Sequence, residues 1–380
     1  MWMKRCLLAI ALIAYSAPVT ASVSRWTPGQ LASLRHWIAA APQDALPLLD
    51  SKSLDRATAN SDTAATDKAA NDLALGLARL HLLGCATAAQ RNGWTIADTD
   101  TSLDLSAMLT RALASNSLDA FFAGLRPRHP DYAVLRAAYE NEGDQTRKLT
   151  LARNLERWRW MPRSLGPDNV LVNAAAFEVQ LWRNATKVGI WPVIVGKQAT
   201  PTPVFAATIT GVTLNPWWFV PQSIVRESVG SFVRRNPSLA RKRGYVWAGG
   251  SYRQRPGPGN ALGSMKLAMA NPFNVYMHDT PSKNLFERQT RAFSHGCIRT
   301  GNALGFAATL LTGVMTREQI DLIVATRTTT DVALASSLPV YVTYFTATAG
   351  ADGSVAYHPD IYGRDAQVGF MSNPSRACGA

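Results

Sequence analysis

Residues 274–299 hold two histidines and a cysteine in a window short enough for them to act together. A free cysteine is mostly protonated near neutral pH, so it becomes a nucleophile only when a base or a positive charge favours the thiolate. His278 lies nineteen positions before Cys297, enough for the chain to leave one strand and return beside it. We predict Cys297 as the nucleophile and His278 as its base. His295 is the alternative base, but we expect side chains two residues apart to point away from each other.

Backbone and side-chain groups around Cys297 add to this chemistry. Gly296 allows a tight turn that can aim the N–H groups of His295, Gly296 and Cys297 at one point, as an oxyanion hole requires. Arg299 is predicted to bind a substrate carboxylate, because a guanidinium binds carboxylates bidentately. The carbonyl of Asp279 is predicted to orient the base. The remaining candidates for substrate binding are Tyr276, Ser294, Asp279 and Trp218.

Short β-rich runs from Val170 onward must position these residues. Turns separate the runs, and the linkers are too short for repeated helical crossovers, which predicts a mainly antiparallel sheet. Residues 274–278 have the alternating pattern of a strand that ends at the base. Residues 215–262 interrupt the pattern with tryptophans, prolines and glycines, and an insertion of this length beside a site is typically a lid or binding loop.

Helical periodicity dominates the chain before about residue 150, where leucines recur at helical spacing and alanine is abundant. With 47% hydrophobic and 17% charged residues, the composition is that of a globular protein. The fold class predicted is α+β. The predicted divisions are a signal peptide 1–21, a helical scaffold 22–150, a linking helix 151–165, a catalytic domain 166–346 with a capping subdomain 215–262, and a C-terminal tail 347–380.

The first residues predict export through a cleaved signal peptide. Lys4 and Arg5 precede an apolar run that is shorter than the ~20 residues a spanning helix needs. Cleavage would leave Cys85, Cys297 and Cys378, an odd number, so one thiol should stay unpaired. The motif nominates Cys297, and Cys85 and Cys378 could then form a disulfide or both stay unpaired. No membrane segment is expected in the mature chain.

The net charge of the chain indicates a class of binding partner. The formal net charge is +13, and residues 226–255 hold eight basic side chains, which favours anionic polymers. The export signal argues against nucleic acid as that polymer.

Several motifs in a fixed order resemble the L,D-transpeptidases, the cysteine enzymes that remodel bacterial peptidoglycan. The signature is SHGCIR at 294–299, preceded by a strand ending in His-Asp-Thr. Flanking motifs match the larger, periplasmic branch of that family, with a helical scaffold and a capping insertion: NLERWRW at 154–160, VIVGK at 193–197, TPVF at 202–205, LNPWW at 214–218 and RQRPGPGNALG at 253–263.

The resemblance implies acyl transfer from a donor tetrapeptide stem, through a thioester on Cys297, to an acceptor amine, with formation of 3-3 cross-links in the periplasm. It implies peptidoglycan stems and other wall-synthesis proteins as partners, sensitivity to carbapenems, and no metal or cofactor. Related enzymes often carry a separate wall-binding module, and residues 141–148 leave no room for it. The open alternatives are an L,D-carboxypeptidase or D-amino-acid exchange at the same site, a Cys-His-His metal centre, and a non-catalytic wall-binding protein.

Overall fold

A computed structural model describes residues 25–87, 89–91 and 93–368 of the chain. The predicted signal peptide, Cys6 and Cys378 lie outside these residues. Cys85 is disulfide-bonded, and the pairing with Cys378 stays a prediction because that residue is not described. The part of the chain that is described contains no helix that is both long and apolar enough to cross a membrane.

Seven α-helices lie between residues 25 and 158 of the described chain. Side-chain caps start several of them, as where Thr27 and Gln30 form a capping box and Asp62 caps a long helix at the N–H of Ala65. Their buried face includes Leu34 and Leu77. The helical prediction for this half is confirmed. The helices are α1 (Pro28–Ala40), α2 (Lys52–Ala59), α3 (Thr63–Leu83), α4 (Leu105–Ala114), α5 (Leu118–Leu125), α6 (Pro130–Asn141) and α7 (Gln145–Trp158), with 3-10 turns at Ala41–Asp44 and Thr99–Ser102.

Helix α7 joins the helical half to the sheet, and it begins six residues before the predicted start at 151. Leu151, Leu155 and Trp158 are buried along it. The helix also buries polar residues, because protein packs on both of its sides. Asn154 exchanges hydrogen bonds with Thr346 of the sheet half, at 2.9 Å in each direction. On the other side Glu156, which is fully buried, accepts from the backbone of the segment after α3.

The second half is built on one large sheet whose neighbours are mostly antiparallel, so that prediction is confirmed. The strands are β1 (Asn169–Asn173), β2 (Glu178–Arg183), β3 (Thr186–Gly196), β4 (Phe205–Leu214), β8 (Met265–Ala268), β9 (Met277–His278), β10 (Ala292–Ser294), β11 (Ile298–Thr300) and β12 (Thr330–Thr343), and β5–β7 belong to the insertion described next. In the described chain the sheet order is β10-β3-β11-β9-β8-β4-β12-β1-β2, and β2 also pairs with β3, which closes the sheet on itself. The parallel pairs are β1–β12, β3–β10 and β9–β11.

Residues 215–262 leave the large sheet after β4 and return to it at β8, and we call this insertion the cap. Its elements are β5 (Trp218–Phe219), α8 (Gln222–Ile224), a π-helical turn (Val225–Val229), α9 (Gly230–Arg235), α10 (Pro237–Lys242), β6 (Tyr245–Ala248) and β7 (Ser251–Gln254). The three strands form a separate sheet of order β5-β7-β6, and the helices lie between β5 and β6.

Two helices and a short hairpin complete the described chain. Helix α11 (Ala303–Leu310) follows the cysteine motif, buries Phe306 and Leu310, and precedes α12 (Arg317–Thr326). A 3-10 turn lies at Lys283–Glu287. In the tail, β13 (Ala347–Ala349) pairs with β14 (Val355–Tyr357). His358 hydrogen-bonds Thr348 at 2.8 Å.

Candidate active site

Strands β9 and β11 place the predicted nucleophile and base on one face of the sheet. They pair in parallel with Ile298 opposite Met277 and Arg299 opposite His278. Side chains alternate between faces, so Cys297 and Arg299 share a face with His278. Ile298 and Met277 point the other way and are fully buried. The site therefore lies on the side of the sheet away from that core. The regular strand at β9 is shorter than the predicted 274–278.

Cys297 is a free cysteine with a backbone donor on its sulfur. The N–H of Tyr276 lies 3.5 Å from Sγ and donates toward it. Burial raises the pKa of the Cys297 thiol, while the Tyr276 N–H and the charge of Arg299 partly oppose that rise. The thiol is therefore mostly protonated at neutral pH, and its reaction requires a base.

His278 is 5% exposed, and its Nδ1 lies 2.5 Å from the carbonyl oxygen of Asp279. A carbonyl can only accept, so Nδ1 carries the proton and Nε2 keeps its lone pair. Burial and, to a smaller extent, the charge of Arg299 lower the pKa of His278 to about 4, although backbone hydrogen bonds at Asp279 and Leu262 partly oppose this shift. The imidazole is therefore neutral at pH 7 and able to accept a proton.

Asp279 was predicted both to orient the base and to bind substrate, and its carboxylate does not have the second role in this structure. The side chain is buried; it accepts from the N–H of Ser264 at 2.8 Å and pairs with Lys283. Gly263 allows this approach, since it has φ +64° and passes directly over the carboxylate. Asp279 thus ties the end of the cap to the strand that carries His278.

Ser294 and Gly296 also differ from their predicted roles, because their polar groups are engaged with each other. Ser294 is buried; its hydroxyl donates to the carbonyl of Cys297 at 2.5 Å and accepts from the N–H of Gly296 at 3.1 Å. Ser294 therefore shapes the turn and does not face substrate, and the Gly296 N–H is not free as an oxyanion donor. Gly296 has φ +109°, a conformation that favours glycine. The N–H groups of His295 and Cys297 remain as candidate donors.

His295 points away from the sulfur toward the cap. Its Nε2 lies 2.9 Å from Oε2 of Glu227, and that glutamate also pairs with Lys197 at 3.3 Å. The reason given from sequence was wrong, because residues two apart in a strand share a face; the turn at Gly296 separates the two side chains. Trp218, predicted to bind substrate, packs against Tyr245 within the cap.

Two groups near the site were missed by the sequence reasoning. Lys266 on β8 lies directly opposite His278, and its Nζ is 4.9 Å from the ring centroid of Tyr276. Tyr362 of the tail donates to the carbonyl of Gly196 at 2.7 Å and accepts from the N–H of Thr202. The Thr202 hydroxyl in turn donates to the carbonyl of Gly296 at 2.9 Å. The tail therefore supports the turn before the cysteine. For Lys266, the sequence offered one indication, the alternation of side chains between the two faces of β8.

The chemistry of a metal centre needs several ligands together. Across residues 25–87, 89–91 and 93–368, no group of three or more His, Cys, Asp or Glu side chains is placed to hold a metal ion. His278 and His295 take different directions, toward Asp279 and Glu227.

Comparison with known proteins matches two parts of the chain to known domains. Residues 167–322 match the family model described as the L,D-transpeptidase catalytic domain, and residues 23–138 match the model described as the Scaffold domain. The chain therefore combines a helical region similar to the Scaffold domain with a region similar to the L,D-transpeptidase catalytic domain. The resemblance inferred from the motifs is confirmed, since residues 167–322 match the L,D-transpeptidase catalytic domain.

A protein of Haemophilus influenzae whose name assigns it to the L,D-transpeptidases is 29% identical over 248 residues, which cover 60% of this chain and 50% of the relative. The chain thus spans about half the length of the curated relative that it matches. Among solved structures, a mutant L,D-transpeptidase of Enterococcus faecium is 12% identical, with TM-score 0.24 and coverage of 48% of this chain and 52% of that one. An L,D-transpeptidase of Mycobacterium smegmatis is 12% identical, with TM-score 0.27 and coverage of 47% and 58%. The resemblance therefore rests on the matches to the two domain models.

Proposed function

We propose that this protein is a peptidoglycan L,D-transpeptidase that forms 3-3 cross-links through a thioester on Cys297. The observation that carries the proposal is the placement of a free thiol, a neutral imidazole and an arginine on one face of two adjacent strands. Arg299 is half-buried and binds a carboxylate of the donor stem. The protein is exported to the periplasm, where this substrate lies.

In the first step Sγ of Cys297 attacks the carbonyl that follows the third residue of the donor tetrapeptide. His278 takes the thiol proton on Nε2, a C–S bond forms, and the N–H groups of His295 and Cys297 stabilise the oxyanion. The C–N bond to the terminal D-alanine then breaks, and His278 returns the proton to the leaving amine. An amine of a second stem attacks the thioester, an amide bond forms, and the sulfur is released and reprotonated.

The experiment that tests this proposal is mass spectrometry of the mature protein after incubation with a carbapenem. We expect one covalent adduct on Cys297, none in Cys297→Ala, and adduct formation slowed at least about 100-fold in His278→Ala, since general-base catalysis typically contributes that much. His36→Ala, at an exposed histidine of α1, is the matched control and should react as the wild type does.

Three results would contradict all or part of the proposal. If folded wild-type protein formed no adduct, Cys297 would not be an acylated nucleophile. Slowing in His295→Ala with a normal rate in His278→Ala would transfer the role of base to the histidine that contacts the cap. With natural stems as donors, release of D-alanine without a cross-linked product would make water the acceptor and the enzyme an L,D-carboxypeptidase.

A further inference from the structure

One row of side chains crosses the site at right angles to the strands, with His278 in its middle. Arg299 of β11 lies opposite His278, and Lys266 of β8 lies opposite it on the other side. Directly paired residues project from the same face of a sheet, and neighbouring strands are about 4.8 Å apart. The base is therefore flanked by a cation on each side, one of which had no predicted role.

Neither cation is neutralised within the described part of the chain. Lys266 is half-buried, and the contact the structure gives its ammonium is with the face of Tyr276, at 4.9 Å from the ring centroid. Arg299 is half-buried as well and acts electrostatically on Cys297. The acidic residue next along the row is Asp331, two strands beyond Lys266 and about 10 Å away by strand spacing. It accepts a 2.6 Å hydrogen bond from Thr213.

Partly desolvated cations without acidic partners are unfavourable in the free protein, and a bound anion relieves that cost. Two such cations on either side of the reacting groups require an anionic ligand with two separated negative charges. A single carboxylate bound by Arg299 leaves Lys266 unmatched. The substrate class of the proposed function meets the requirement, since a tetrapeptide stem carries carboxylates on its terminal D-alanine, on its γ-linked glutamate and on the side chain of its diamino acid.

We infer that Lys266 binds a second carboxylate of the donor stem, so that the enzyme selects stems whose carboxylates are free over stems in which one of them is amidated. This inference rests on the proposed function and adds a specificity-determining residue to it. Lys266 extends over Tyr276, whose N–H contacts the nucleophile, so a carboxylate held there lies beside the bond that reacts. The second carboxylate belongs to the glutamate or to the diamino acid, and singly amidated stems separate these sources.

The test measures binding of synthetic tetrapeptide stems by calorimetry to protein carrying Cys297→Ala, which leaves the stem intact. Three stems are compared: one with all carboxylates free, one amidated at the glutamate, and one amidated at the diamino acid side chain. We expect Lys266→Met to weaken binding of the free stem about tenfold or more, as loss of a charge-assisted contact does. One of the two amidated stems should bind the protein that retains Lys266 about as weakly as the free stem binds Lys266→Met. That amidated stem should lose no further affinity in Lys266→Met.

Control variants separate this contact from a structural effect. Lys266→Arg keeps the charge and should retain most of the affinity for the free stem. Lys187→Met removes another half-buried lysine that lies over an aromatic ring, Trp182, at 5.8 Å, but on a different part of the sheet, and should leave binding unchanged. With Cys297 intact, Lys266→Met should raise KM for the free stem and change kcat little.

An equal loss of affinity for all three stems, or no loss for any of them, would overturn the inference. Its failure is distinguishable from failure of the proposed function, because the carbapenem adduct on Cys297 is measured separately. An adduct together with unchanged stem binding in Lys266→Met rejects the role of Lys266 alone. Absence of the adduct rejects the proposed function.

Discussion

Gly263 lies where the chain returning from the cap passes Asp279, and its replacement by alanine tests how firmly that contact holds His278. A Cβ at this position would lie 2.5 Å from both Cβ and Cγ of Asp279, so the aspartate must move. The left-handed φ of +64° costs an alanine about 1–2 kcal/mol. Displacement of the carboxylate from the Ser264 N–H costs about 1.5–3 kcal/mol more.

Gly263→Ala should therefore reduce the free energy of unfolding of this half of the protein by about 2.5–5 kcal/mol. The control is Gly313→Ala, where φ is +82° and no atom lies within 4 Å of the added Cβ. That variant should lose about 1–2 kcal/mol, the cost of the backbone alone. Urea unfolding followed by tryptophan fluorescence measures both variants.

Activity gives a second measure of the same contact. Asp279 also presents the carbonyl that fixes the tautomer of His278, so Gly263→Ala should slow acylation of Cys297 by about 10–100-fold, as small displacements of a catalytic group do. Gly313→Ala should acylate at the wild-type rate. If both variants unfold at the same urea concentration and are acylated equally fast, the contact between Gly263 and Asp279 does not position His278, which contradicts the prediction.

Two further predictions concern the scaffold and the cap. Burial lowers the pKa of His81 to about 3. Below about pH 6.5 the unfolded chain therefore binds a proton that the folded chain does not, so the free energy of unfolding decreases as the pH is lowered. His81→Leu should remove about 2 kcal/mol of that loss at pH 5, and urea midpoints that shift with pH as in the wild type would contradict this. Glu227→Ala removes the contacts of the cap with His295 and Lys197, and should speed hydrogen exchange in residues 222–235; unchanged exchange there would show that the contacts do not hold the cap.

The nucleophile, the base and the arginine could be proposed from the sequence because their signal is local. A cysteine after glycine, a histidine at the end of a β-rich run and an arginine two residues beyond the cysteine occur in one window. Strand alternation then places Cys297 and Arg299 on one face. Likewise, helical periodicity in the first half and short β-rich runs in the second predicted an α+β fold, since the two periods differ.

The roles of Ser294 and Asp279 were misjudged because their hydrogen-bond partners depend on how loops fold. The Ser294 hydroxyl contacts the Cys297 carbonyl only because the turn at Gly296 brings them together. The Asp279 carboxylate meets the Ser264 N–H because the cap ends beside β9. No periodicity in a sequence reports such contacts. The predicted roles assumed that a polar side chain near the motif faces substrate.

Lys266 and Tyr362 show the same limit over longer distances. The sequence places Lys266 twelve residues before His278 and Tyr362 in a tail without motifs. Pairing of β8 with β9 brings the lysine beside the base, and packing of the tail brings the tyrosine to Gly196. Residue type and local spacing set nucleophile and base, so the residues that can do chemistry were visible in the sequence. Which of them meet, and which charges stay unpaired, depends on pairing between strands that are distant in the chain.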